Sequence, residues 1–220
     1  VLQINAVYGD GSTGIIIRDI EQLCEQNSIK CYVASPDTKV SDAKRGFLIG
    51  NVLGHKIHAL FCRISGKQGY FSQRATKRLL AYMDEISPDI VHLHNLHSSY
   101  IHLSMLLQYL AKKDIRTIVT LHDCWFYTGG CFHYVAAGCM RWLDGCGNCP
   151  KKLDDTPAYL WDCSASILAD RKKYLLAIPR LTVVGVSEWI SNEAKRTFLS
   201  KTPVVTIRNG VDIDVFKPTP

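Results

Sequence analysis

Four apolar runs of strand length punctuate the chain from residue 88 onward: "PDIVHLH" at 88–94, "RTIVTLH" at 116–122, "RLTVVGVS" at 180–187 and "PVVTIRNG" at 203–210. Each is continuous in Val, Ile and Leu rather than alternating with polar residues. That is the pattern of strands covered on both faces. Helical patterns separate them: "IHLSMLLQYLAKK" at 101–113, roughly 164–177, and "SEWISNEAKRTFL" at 187–199, where Ser187 is suited to the N-cap. Strand and helix in strict alternation require a parallel sheet with helices packed against it.

The chain before residue 88 fits the same scheme. "VLQINAV" at 1–7 reads as a strand, followed by Gly9, Gly11 and Gly14 and by a helix from about Ile15 to Gln26 with Ile16, Ile20, Leu23 and Cys24 on one face. "KCYVAS" at 30–35 is a second strand. Residues 36–54 are polar and glycine-bearing and read as a long loop or hairpin. Residues 55–86 read as helix in two pieces, broken near Gly66–Gly69. The expected product is a single α/β domain, Rossmann-like and doubly wound, with a mainly parallel sheet. At 220 residues the chain can bury a sizeable core.

Such sheets bind ligands outside the carboxyl ends of their strands. That rule directs attention to Tyr8–Gly14, His94–His97, His122–Asp123, Gly185–Glu188 and Asn209–Gly210. The loop "GDGSTG" opens a helix, whose free N–H groups suit an anion. Its glycines match the dinucleotide spacing. However, the acid after the second strand, Asp37, follows a proline, which is poor placement for a ribose-binding carboxylate. In "HLHNLHSSY" (92–100), His92 and His94 fall on one side of a strand. One histidine is expected in the core, with Asn95 and His97 at the ligand edge. His122 ends a buried strand, where it can bond a hydroxyl, and Asp123 follows it.

Behind that pair, Cys131, Cys139, Cys146 and Cys149 fall in nineteen residues, and the last two are a Cys-x-x-Cys. Four thiolates on a structural zinc, two disulfides, and simply buried thiols are all open readings. A redox Cys-x-x-Cys normally opens a helix after a strand, whereas this one closes a loop. The interleaved aromatics are expected mostly to pack the loop.

The composition, 47% hydrophobic and 21% charged with a net charge of +6, is that of a globular domain and by itself carries no argument for nucleic acid. The stretch 55–78 is basic with aromatics but matches no nucleic-acid-binding motif. No apolar window is long enough for a bilayer and no signal peptide is visible. Nine cysteines, an odd number, fit a reducing compartment. A cytoplasmic location is expected.

The order "GSTG", "PDIVHLHN", "TLHDCWFYTGGC…GC…GCGNCP", "VVGVSEW" and "IRNGVD…F" resembles glycosyltransferase family 4 over nearly the whole chain. The resemblance implies the N-terminal, acceptor-binding half of a two-domain GT-B enzyme: residues 1–208 a Rossmann-like domain, and 209–220, through Asp212, Phe216 and Pro218, the start of a linker toward a C-terminal nucleotide-sugar-binding domain. By itself such a half is expected to be inactive. The implied reaction is retaining transfer from a nucleotide sugar to a glycan or lipid-linked glycan in bacterial surface polysaccharide assembly, without a catalytic cofactor. It would take place at the inner face of the plasma membrane, with peripheral membrane contact and no nucleic acid. His122 would contact the donor sugar as the catalytic residue. Gly11, Ser12, Thr13 and Gly14 would lie near its diphosphate, and Asn95, His97, Asp123 and Glu188 would line the cleft. The rival reading is a non-enzymatic domain, stapled by zinc or disulfides, that binds sugars or a partner.

Overall fold

A computed structural model of the chain describes residues 1–155, 157–211, 213 and 217. Seven strands form one sheet: β1 (Leu2–Ile4), β2 (Tyr32–Ser35), β3 (Gly46–Leu48), β4 (Ile90–Leu93), β5 (Arg116–Leu121), β6 (Leu181–Gly185) and β7 (Val204–Thr206). Their spatial order is β3-β2-β1-β4-β5-β6-β7 and every pairing is parallel. The domain is thus α/β and Rossmann-like, as expected. The order reverses between β1 and β4, so the carboxyl ends of those two strands flank the switch point where such sheets hold ligands.

Helices α1 (Gly11–Gln26), α2 (Val52–Ser65), α3 (Gln73–Ile86), α4 (Leu103–Lys112), α5 (Ser164–Leu176) and α6 (Glu188–Lys195) cover the sheet. Ser187 caps α6 as the sequence suggests, accepting from the Ile190 N–H at 3.3 Å. Asn51 caps α2 by accepting from Gly54 N–H at 2.8 Å, and Gly66 ends it in the left-handed region (φ 70°) that favours glycine. The core is the sheet's central strands, with Leu2, Val91, Leu93, Val119 and Val183 at 0–1% exposure, packed under α4.

Two expectations need correction. Residues 36–54 are not a loop or hairpin. They hold a short 3-10 turn (Thr38–Asp42), the parallel edge strand β3 and the first residues of α2. An edge strand needs little apolar cover, and "GFL" accordingly carries almost none of the usual signal. The second correction is the buried face of α1, which is Gly14, Ile17 and Glu21, leaving Leu23 57% exposed. Glu21 draws that face inward, since its carboxylate accepts from Tyr8 O–H at 2.5 Å and Lys44 N–H at 2.9 Å. Of the expected linker, Asp212, Phe216 and Pro218 lie outside the described residues.

Candidate active site

Strands β4 and β5 run in register, Leu93 opposite Val119, so the residues leaving their carboxyl ends meet. His94 and His122 do so, and His92 joins them from within β4. His94 Nδ1 and His122 Nε2 are hydrogen-bonded at 3.1 Å. The His92 ring lies 3.9 Å from that of His94, and its Nε2 bonds Thr120 Oγ1 at 2.7 Å. His94 is the core histidine expected from the sequence, with 0% exposure. Burial disfavours charge on all three. It pushes His92 down to about 4, His94 well below the ordinary histidine range, and His122 downward despite the opposing pull of Asp123. At neutral pH this is a set of uncharged rings that can donate and accept hydrogen bonds.

A second pair sits beside it. His97 Nε2 meets Asp123 Oδ2 at 3.1 Å, and Asp123 Oδ1 accepts from Trp125 N–H at 2.8 Å. The His97 ring packs on Phe132 at 4.3 Å. Asn95 is held by its backbone. Its N–H donates to Asn5 Oδ1 at 3.1 Å, and its carbonyl accepts from Tyr100 O–H at 2.9 Å. Asn5, just past β1, also donates to Val7 O at 2.8 Å and to Thr13 Oγ1 at 3.5 Å, which links the glycine loop to β4.

In that loop Asp10 caps α1 and pairs with Lys39 at 2.8 Å, while Gly11 and Ser12 are exposed. A Cβ on Gly14 would come within 3.2 Å of Gly9 N and 3.3 Å of Tyr8 C, tighter than usual against backbone, so a larger residue would push the start of the helix away from the strand by a few tenths of an ångström. Glu188 is exposed at the first turn of α6, where its carboxylate accepts from Thr206 O–H at 3.3 Å. The residues expected at the ligand edge therefore do gather along one edge of the sheet.

A cavity of about 360 Å³ opens beside them, between the end of α2, the Ser98–Ser99 turn, the Gly129–Phe132 segment and the start of α5. His97 lines it, whereas His122, Asn95, Glu188 and the Gly11–Gly14 loop do not. Its basic residues, Arg63, Lys151 and Lys152, were not anticipated from the sequence. Their types carry no signal until the fold brings positions 63, 97 and 151 together.

The model of glycosyltransferase family 4 matches residues 16–215. The chain belongs to glycosyltransferase family 4. It is also similar to WcaC of Escherichia coli (strain K12), which is described as a putative colanic acid biosynthesis glycosyl transferase. The identity is 31% over 91 residues, and the match covers 39% of this chain and 22% of that relative.

In this family 4 domain the long excursion after β5 is held by buried side chains. Trp125, Phe126, Tyr127, Tyr134 and Trp142 are all between 0% and 4% exposed, so they pack the loop, as the sequence suggested for most of its aromatics. Tyr134 donates to Glu193 of α6, and Asp155 accepts from Phe132 N–H at 2.8 Å. Cys131, Cys139, Cys146 and Cys149 all line one small cavity of about 20 Å³. The structure joins none of the nine cysteines in a disulfide. Among the described residues no group of three or more His, Cys, Asp or Glu side chains is arranged to hold a metal ion. Burial is the largest influence on Cys146 and lifts its thiol to about 11. Arg171 on α5, not singled out in the sequence, reaches under the loop and donates to the carbonyls of Trp125 and Thr128. The available signal was its position: it continues the buried line Ile167, Leu168, Leu175, where an arginine is out of place.

The cluster is therefore expected to act in stability. Cys146→Ser should cost about 1–3 kcal/mol, because a hydroxyl is buried where a thiol packed. That corresponds to a Tm lower by roughly 2–10 °C for a domain of this size. Calorimetry reads the shift, and an unchanged Tm would remove the structural role. Elemental and free-thiol analysis of protein purified without chelator tells a thiolate-held zinc from disulfides and from packed thiols.

Proposed function

We propose that this chain is the acceptor-side, N-terminal domain of a two-domain GT-B enzyme. The enzyme moves a sugar, with retention, from a nucleotide-sugar donor to a glycan or lipid-linked glycan in surface polysaccharide assembly. What supports the reading is the gathering of the loops after β1, β4, β5 and β6, which carry the family's motifs, along one carboxyl edge beside a cavity.

In this reading the donor lies over the switch point. Its diphosphate sits near the N–H groups at Gly11–Gly14, where a helix N-terminus favours developing negative charge. His94 occupies Nε2 of His122, which leaves Nδ1 to meet a donor-sugar hydroxyl. Because burial keeps that ring neutral, it can bond the hydroxyl without holding a charge against the departing nucleotide. Asp123 orients His97 at the cavity where the acceptor enters. A C-terminal domain beyond residue 209 would read the nucleotide, and no catalytic cofactor takes part.

The test is transfer from a panel of nucleoside-diphosphate sugars to extracted glycan acceptors by the full-length protein. Labelled product with the anomeric configuration retained is expected. Sugar binding without turnover under every condition would favour a non-enzymatic binding domain instead. His122→Ala should lower kcat by about ten- to a thousand-fold, the scale of one transition-state hydrogen bond. Unchanged kinetics in a variant with normal Tm would take His122 out of the mechanism.

A further inference from the structure

Gln68 is 6% exposed and lines the cavity of about 360 Å³. Its Oε1 accepts from Trp125 Nε1–H and from Arg171 Nη2. Both partners can only donate, so the amide cannot be turned over, and Nε2 is the atom left to face a ligand. Among the described residues Nε2 has no acceptor. The guanidinium on the carbonyl side draws electron density from the amide and strengthens Nε2 as a donor. A deeply held donor of this kind, in a cavity of ligand size, is what a binding site uses to fix orientation.

The charge of the walls narrows the ligand. Arg63, at the end of α2, forms no ion pair among the described residues. Lys152 Nζ bonds Leu160 O at 3.3 Å and meets no carboxylate among the described residues. Lys151 is engaged by Asp155 at 3.0 Å. Asp162 is occupied by backbone, accepting from Ser164 N–H at 2.9 Å and Cys149 N–H at 2.7 Å. Of the Lys, Arg, Asp and Glu in the lining, three cations against two carboxylates leave one positive charge. That balance suits a group with a single negative charge. A diphosphate carries more and would be set against Asp155 and Asp162. Ser98 and Ser99, on the same wall, both lie in the left-handed region, with φ 90° and 58°. Strain of this kind collects at ligand sites.

We propose that the cavity is a subsite for a carboxylate-bearing sugar, a hexuronate unit of the acceptor. Its carboxylate accepts from Gln68 Nε2–H and from the Arg63 guanidinium, whose fork matches a carboxylate in two prongs, with Lys152 adding charge. The subsite selects the acceptor, because a neutral hexose would leave Arg63 without a counter-charge. That the sugar belongs to the acceptor rests on the transfer reading above, whereas its binding rests on the cavity alone.

Methyl glucuronide and methyl glucoside, titrated separately into the isotope-labelled chain and followed by NMR, test it. The side-chain amide signal of Gln68 reads the site directly. Glucuronide is expected to move that signal and to bind about tenfold tighter than glucoside, with the advantage shrinking in high salt. Arg63→Gln, at an exposed position, should weaken glucuronide binding about tenfold and leave glucoside binding unaffected. Gln68→Glu keeps an acceptor for Trp125 and Arg171 but replaces the donor with a like charge, so glucuronide binding should vanish while the Tm is kept. Should Gln68→Glu unfold, Arg63→Gln decides alone. Equal affinity for the two glycosides, or binding of neither, overturns the proposal. So does binding that leaves the Gln68 amide unmoved. Inorganic pyrophosphate binding tighter than glucuronide overturns it as well and gives the cavity to a phosphate. Binding needs neither donor nor turnover, so its failure leaves the transfer reading standing. Glucuronide binding without transfer to any glycan does the reverse.

Discussion

Between pH 7 and pH 4 the domain is expected to lose most of its stability. The cause is histidines buried uncharged. His58 and His92 fall from an ordinary 6.5 to about 4, chiefly by burial, and His94 falls further. An unfolded chain takes up those protons as soon as the pH drops below about 6.5. The folded chain resists until the folded values are passed. The unfolded state therefore binds more protons throughout that window, and stability falls as pH falls. At about 1.4 kcal/mol per pH unit, His58 and His92 together withdraw on the order of 6 kcal/mol by pH 4, comparable with the whole stability of many domains. Urea unfolding at pH 7, 6, 5 and 4.5 would show it as a falling midpoint. A flat profile from pH 7 to 5 would contradict it. The salt-bridged carboxylates act lower: Glu25, held down to about 2 first by Lys44 and then by Arg45, keeps its contribution through most of this window and loses it as the pH falls from about 4.5 toward 2.

Arg171→Leu is expected to be the most damaging single substitution away from the histidines. The guanidinium is 1% exposed and lies 3.6 Å from the centre of the Trp125 ring. Nη1 donates to Thr128 O at 2.7 Å and to Trp125 O, and Nη2 donates to Gln68 Oε1 at 3.2 Å. No acid pairs with it among the described residues, and burial lowers its pKa to about 9. Its worth lies in the acceptors it satisfies. Removing it strands buried carbonyls beneath the cysteine loop, a loss of about 3–5 kcal/mol and a Tm drop on the order of 10 °C. Hydrogen exchange should rise first between residues 123 and 163. Arg171→Lys should recover part of the Tm, since one ammonium cannot span all three acceptors. Wild-type melting of Arg171→Leu would dismiss this account.

Much of this architecture could be read from the chain because central parallel strands must be apolar throughout. "IVHL", "RTIVTL" and "LTVVG" state their burial directly, and Ser187 states a helix start. β3 could not be read, since three residues on a sheet edge need neither alternation nor an apolar run. The ligand edge was legible as a set of positions, His94–His97 and His122–Asp123, through the rule for strand ends. Their pairing was not. His97 with Asp123 and His94 with His122 follow from the register of β4 on β5, which no local pattern encodes. Glu21 misled the reading of α1 and Arg171 escaped it for one reason: a charged residue on a buried face is explained only by partners remote in sequence.

The anchoring of the cysteine loop by Arg171 also sets an order of events during synthesis. The arginine follows Trp125 by 46 residues and Gln68 by 103. At roughly 5–20 residues per second a ribosome needs several seconds to cover the first interval. Until it does, the carbonyls of Trp125 and Thr128 lack the guanidinium, and the loop bearing Cys131 to Cys149 emerges without its support. Every nascent chain thus passes through an interval in which four thiols are open to oxidants and to one another. Chains made under oxidising conditions should leave that interval as mispaired, off-pathway species more often than chains that have already closed the loop over Arg171.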